Sequence, residues 1–214
     1  TINVMGVTIP GAPGIIIGFN DNISWGVTNG YDDSMDWYDI KFSPDDTKRK
    51  EYKYDNQWIS TDQIIEKIKI KGAPTFYDTV IYTHHGPVVW DYQYQGEYIS
   101  NIKEDAGIAL KWLAHDNTNE LLSFYLLNKA TNYNEFKKSL STYVCPGQNF
   151  IYSDINGNIA IFHAGKNPVK WERQGMFILD GTDSYHDWDD YIPFNHRPQI
   201  LNPLRGYLSS ADQN

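Results

Sequence analysis

Apolar and polar positions alternate through most of this chain, and the period lengthens in only one stretch. Gly14-Ile-Ile-Ile-Gly18 is a continuous β-branched run bounded by glycines, the pattern of a strand buried on both faces. Asn20-Asp-Asn22 follows as a polar turn and Ile23–Thr28 alternates, so the two runs predict a hairpin. Asp36–Phe42 reads as another strand, stopped by Ser43-Pro44. Short strands are expected at Glu51–Tyr54, Ile64–Ile70 and Val80–Thr83, with a turn at Lys71–Pro74, and His84–Val89 continues the β region. Neighbours on a strand point to opposite faces, so one of His84 and His85 is expected in the core and the other outside, which argues against a shared metal.

The helical stretch lies in the middle. Asp116–Asn119 offers N-caps, and Leu121, Leu122, Tyr125, Leu126 and Ala130 fall on one helical face. A second cap at Asn134 opens Glu135–Tyr143, and Cys145-Pro-Gly147 ends it. Asn156-Gly157 between two alternating runs predicts a hairpin. Asp154-x-Asn156-x-Asn158 imitates the start of an EF-hand loop, but the sixth position is Ile159 and the twelfth is Gly165, where calcium binding needs Gly and Glu. The last fifty residues, rich in Pro, Gly, Trp and Asp, read as long loops over a core. The expected class is α+β, sheet-rich, with helices mainly at about 119–143.

Composition narrows the function. Hydrophobic residues at 41% and charged residues at 21% of 214 fit an ordered globular chain. A net charge of −9 argues against binding a phosphate backbone, so no nucleic-acid partner is expected. The longest apolar run is far too short to span a membrane. The single cysteine, Cys145, makes neither an internal disulfide nor a cysteine zinc site, and reads as a small buried residue. The 7 Trp, 16 Tyr and 9 Phe either fill a sheet-rich core or line an apolar pocket. The second option keeps an alternative open, a non-catalytic aromatic-rich β domain that binds carbohydrate or apolar ligands.

A longer pattern carries more information. Ile9-Pro-Gly-Ala-Pro-Gly-Ile-Ile-Ile-Gly-Phe-Asn20, Ile23-Ser-Trp-Gly-Val-Thr-Asn29 and Asp33-x-x-Asp36 are followed in order by His85-Gly-Pro-Val88, Asn149–Ile159, Asp180-Gly181, Trp188, Ile192-Pro-Phe194 and Asn202-Pro-Leu-Arg-Gly206 with Ser210-Ala211. This series resembles the penicillin amidase (penicillin acylase) family of N-terminal-nucleophile hydrolases. It covers nearly all of residues 1–214 as one part of the catalytic β-subunit. The resemblance implies a four-layer αββα sandwich and hydrolysis of the amide of N-acyl compounds such as β-lactams or acyl-homoserine lactones. The nucleophile of such enzymes is a terminal serine whose own α-amine, titrating near pH 8, takes its proton. In this register that serine lies upstream of Thr1, so these residues alone are expected to hydrolyse nothing, and Thr1 itself is set aside as a nucleophile.

The resemblance also assigns residues. The backbone N–H of Asn29 becomes an oxyanion donor, although Asn29-Gly30 also reads as a turn closing its strand. Asp212 falls where the family has a second donor, an asparagine. An ionised carboxylate cannot donate, so Asp212 is protonated, Gln213 replaces it, or the site is impaired. Asp33, the carbonyl of Met35 and Asp36 match ligands of a structural Ca²⁺. Ile17, Val27 and Gln148 match pocket-lining positions. The implied partners are a small N-acyl substrate and the remaining segments or α-subunit of the same precursor, in the periplasm or secreted.

Overall fold

The computed structural model describes residues 2–44, 48–92 and 102–211. They form two compact units, Thr1–Ser34 with Asp116–Val169 and Asp190–Asn214, and Met35–His115 with Lys170–Asp189. In chain order the strands are β1 (Val4–Val7), β2 (Ile17–Asn20), β3 (Ile23–Asn29), β4 (Met35–Lys41), β5 (Glu51–Tyr54), β6 (Gln57–Ser60), β7 (Asp62–Ile68), β8 (Phe76–Thr83), β9 (Gly86–Asp91) and β10 (Ala106–Trp112). Helices α1 (Glu120–Leu127) and α2 (Tyr133–Ser139) precede β11 (Gln148–Asp154), β12 (Ile159–Ala164), β13 (Pro168–Val169), β14 (Leu179–Asp180), β15 (Asp190–Tyr191) and β16 (Gln199–Leu201). The α+β, sheet-rich expectation holds, and so does the helical window. The final loops contain short paired strands, β13 with β15 and β16 against β12.

The first unit is built on an antiparallel sheet ordered β1-β2-β3-β11-β12-β16. Register places Trp25 opposite Tyr152 and Val27 opposite Phe150, while Phe150 faces Phe162, so these side chains share one face. Leu127, Phe136, Leu140 and Tyr143 from the helical stretch pack into the same cluster. Asn119 caps α1 by accepting from Leu122 N at 3.1 Å. The cap of α2 is Asn132 rather than Asn134, because Asn132 keeps extended backbone and its side chain accepts from Glu135 N. The Asn156-Gly157 hairpin forms as predicted. Gly157 takes φ +85, and the Asp154 carboxylate accepts from the backbone of Asn156 and Asn158, so the EF-like spacing serves a turn.

One strand departs from expectation. The Gly14–Gly18 run is not a strand buried on both faces: β2 begins only at Ile17, which is 39% exposed. The cause is distant in sequence. Asn128 accepts from Ile15 N at 2.7 Å and donates to Ile15 O at 2.8 Å, so a side chain replaces the ladder there. The β2–β3 hairpin itself forms, with Gly18 opposite Trp25.

The second unit has a sheet ordered β14-β4-β10-β9-β8-β7, with β14 parallel to β4 and a β5–β6 hairpin beside it. Tyr38, Ile40, Phe42, Tyr52, Ala109 and Leu179 form its core. Among the described residues, strand β7 pairs only with β8, and all its residues are exposed. No helix among the described residues is long and apolar enough to cross a membrane.

Candidate functional site

Asn29 ends β3 on the face that carries Ile23, Trp25 and Val27, as the buried core gives way to solvent. Its register partner is Gln148, and the next pair, Gly30 N to Gly147 O at 3.0 Å, makes a ladder bond. Hydrogen-bonded and non-bonded pairs alternate in an antiparallel ladder, so Asn29 sits in a non-bonded pair and its N–H is directed away from β11. The last β2–β3 pair is Gly18 with Trp25, well before Asn29. The register thus turns this backbone N–H, at the end of β3, away from β11.

Three further contacts fix this residue. Gln148 Nε2 donates to Asn29 Oδ1 at 3.3 Å, and Asn149 Nδ2 donates to the Asn29 carbonyl at 3.0 Å. That orientation makes Asn149 Oδ1 an acceptor, and His163 Nδ1 donates to it at 2.9 Å. His163 Nε2 meets Asp32 Oδ1 at 2.5 Å. Arg197 is buried near Asp32, and burial lowers its pKa while Asp32 opposes the shift. Glycines make room for this chain of contacts: a Cβ on Gly147 or Gly165 would collide with the Asp32 carboxylate, and one on Gly30 with His163. A rigid, preorganised donor is what charge development at a carbonyl oxygen requires.

Of the residues singled out in the sequence, Val27, Asn29 and Gln148 share one face and one end of the sheet. Ile17 does not join them. Gly18 pairs with Trp25, so alternation puts Ile17 on the opposite face. Asp33 and Met35 are exposed, whereas Asp36 is fully buried, with Oδ2 accepting from Trp188 Nε1 at 2.6 Å and lying 2.8 Å from Lys170 Nζ. Asp36 Oδ1 has no hydrogen-bond partner. Asp212 and Thr1 lie outside the described residues. Cys145 is half-buried rather than buried as expected, and burial and the Glu120 and Asp32 carboxylates push its thiol pKa up, which argues against a reactive thiol. Asp32, Asn149 and His163 act as a unit that sequence reasoning missed, since Asp32 and His163 are 131 positions apart.

Comparison with known proteins identifies the family and the fold. The family described as penicillin amidase matches residues 1–214. Penicillin G acylase of Escherichia coli is 29% identical over 210 residues, covering 97% of this chain and 23% of that protein. Acyl-homoserine lactone acylase QuiP of Pseudomonas syringae pv. syringae is 26% identical, covering 98% of this chain and 24% of that protein. The chain therefore spans about a quarter of the length of these curated relatives. The solved structure of a thermostable penicillin G acylase from Alcaligenes faecalis superposes with a TM-score of 0.83 at 27% identity, over 100% of this chain and 37% of that one. The fold is that of an N-terminal-nucleophile hydrolase.

Proposed function

The chain belongs to the penicillin amidase family, and from that premise we propose that the protein carrying it hydrolyses the amide of N-acyl compounds, with β-lactams and acyl-homoserine lactones as the substrate classes. The observation that carries this reading is the family match over residues 1–214, and the Asn29 N–H, turned away from β11 at a strand end, is the donor it assigns. A terminal serine from outside these residues attacks the acyl carbon and passes its proton to its own α-amine. Negative charge collects on the former carbonyl oxygen, where the Asn29 N–H meets it, a donor worth about 3–4 kcal/mol. The tetrahedral adduct then expels the amine, which takes the proton, and water releases the acyl group. Val27 and Gln148 flank the donor and would line the acyl pocket; the polar Gln148 suits a chain that is not purely aromatic.

A structural Ca²⁺ belongs to the same reading, with Asp33, the Met35 carbonyl and Asp36 as its ligands. The buried Asp36 Oδ1, without a hydrogen-bond partner, suits a hard cation. The place of action is the bacterial envelope or outside the cell. The test is an assay of the full-length gene product with phenylacetyl and long-chain acyl anilides. Amine release is expected, and Asn29→Pro, which deletes the N–H, should lower kcat about 10²–10³-fold with little change in KM. No turnover of any acyl anilide, or an unchanged kcat in Asn29→Pro, refutes the reading.

A further inference from the structure

The proposed chemistry makes no use of the two adjacent histidines of the second unit. They do not continue a strand. His84 and His85 occupy the tight turn between β8 and β9, and their rings lie 3.7 Å apart rather than on opposite faces. The expected burial does hold, with His85 fully buried and His84 exposed at its edge. Both rings aim at one carboxylate oxygen: His84 Nε2 is 3.5 Å and His85 Nδ1 is 3.4 Å from Asp187 Oδ1.

These are not ordinary hydrogen bonds. His85 Nδ1 and Asp187 Oδ1 are both buried without a hydrogen-bond partner. The opposite ring nitrogen, His85 Nε2, lies 3.2 Å from the Gly181 carbonyl, which can only accept. The proton therefore sits on Nε2, and Nδ1 presents a lone pair to the carboxylate oxygen. Leaving two buried acceptors face to face is costly unless something positive comes between them. A bridging water, at about 2.8 Å from each, would hold its two acceptors about 4.4 Å apart. Two ligands of one tetrahedral zinc, at about 2.0–2.1 Å from it, stand about 3.4 Å apart. The observed separations match the second arrangement.

The remaining atom of each group is already held. Tyr54 donates its hydroxyl to Asp187 Oδ2, and Tyr52 Oη lies 2.8 Å from His84 Nδ1. With Gly181 behind His85, every ligand has an outer partner that fixes its orientation, as in protein metal centres. We propose that His84 Nε2, His85 Nδ1 and Asp187 Oδ1 bind a divalent transition-metal ion of the zinc class. Two imidazoles and one carboxylate suit zinc or cobalt rather than calcium, whose ligands are oxygens. Exposure of His84 supplies the entry path, and three protein ligands leave a coordination position for water.

The experiment uses purified protein stripped with chelator and titrated with Zn²⁺ by calorimetry and with Co²⁺ by visible absorption. One zinc per chain and four-coordinate cobalt bands are expected, with affinity at least tenfold weaker in His84→Ala and in the isosteric Asp187→Asn. Tyr54→Phe should weaken binding by about tenfold without abolishing it, while His115→Ala leaves it unchanged. His84 is exposed, so His84→Ala keeps the test valid if Asp187→Asn fails to fold. Absence of zinc and cobalt binding in the unaltered protein overturns the proposal, as does binding that His84→Ala leaves untouched.

Discussion

The two units handle buried polarity differently. In the first, two capped helices cover one face of the sheet over Trp25, Phe136, Phe150, Tyr152 and Phe162. Its unpartnered buried atoms gather around Asp32, where acceptors (Asp32 Oδ2, Asn167 Oδ1) stand with donors (Arg197 Nε and Nη1). A site with both kinds suits ordered water. The second unit has no α-helix among its described residues and a smaller core, and it exposes Ile64, Ile65, Ile68, Phe76 and Tyr77 along β7 and β8. At its His85–Asp187 contact, acceptor faces acceptor. Mixed orphans describe a positioning network; matched ones describe a cation's place.

The largest expected effect tests the difference in packing. Phe150 is fully buried among Phe124, Tyr143 and Phe162, and Phe150→Ala should cost about 3–5 kcal/mol, read from urea unfolding with amide exchange followed over β3, β11 and β12. Ile65→Ala on the exposed edge strand should cost less than about 0.5 kcal/mol. Equal losses at the two positions would erase the contrast, because β7 would then be packed against something.

Local pattern made much of this architecture legible. β3, α1 and the Asn156-Gly157 hairpin rest on spacings of two to four residues, which a single sequence displays directly. The failures all involve distant partners or a break in period. Gly14–Gly18 looked doubly buried because nothing near it reveals that Asn128 satisfies Ile15. Alternation assigned His84 and His85 to opposite faces because it presumes a strand, and the chain turns there instead. Asn29 was reached through family resemblance, whereas its bracing by Asn149, His163 and Asp32 had only one local trace. That trace was glycine at positions 30, 147 and 165, where side chains must approach closely.

Those glycines offer a sharper comparison. A Cβ on Gly147 meets the Asp32 carboxylate, which is buried and tied to His163, so little can yield. In the second unit, a Cβ on Gly107 meets Val88 Cγ1 at 2.8 Å and the Phe42 ring at 2.9 Å, apolar groups that can repack. Overpacking typically costs 1–3 kcal/mol. We expect about 2–3 kcal/mol for Gly147→Ala and about 1 kcal/mol for Gly107→Ala, both measured by thermal unfolding. The reverse order would mean that Asp32 is loosely held and that Asn29 is not braced through it.

The same packing predicts a pH dependence localised to the first unit. Tyr143 packs edge-on against Phe124 and Phe150 and is 5% exposed. Burial, followed by the negative charges of Glu120, Cys145 and Asp32, raises its pKa above the ordinary phenol value near 10. The folded chain therefore keeps a proton that the unfolded chain releases in alkali. The stability linked to that proton is fully present below about pH 10 and falls as pH rises above it. At about pH 11, one unit above the unfolded value, the loss from this one phenol is about 1.4 kcal/mol. Urea midpoints followed by far-UV circular dichroism at about pH 9 and pH 11 should differ more in the unaltered protein than in Tyr143→Phe, which has no proton to lose. Equal differences in the two proteins would show that Tyr143 ionises freely in the folded state. The helix-covered face would then admit water, and the contrast with the more open second unit would fail where it is expected to be strongest.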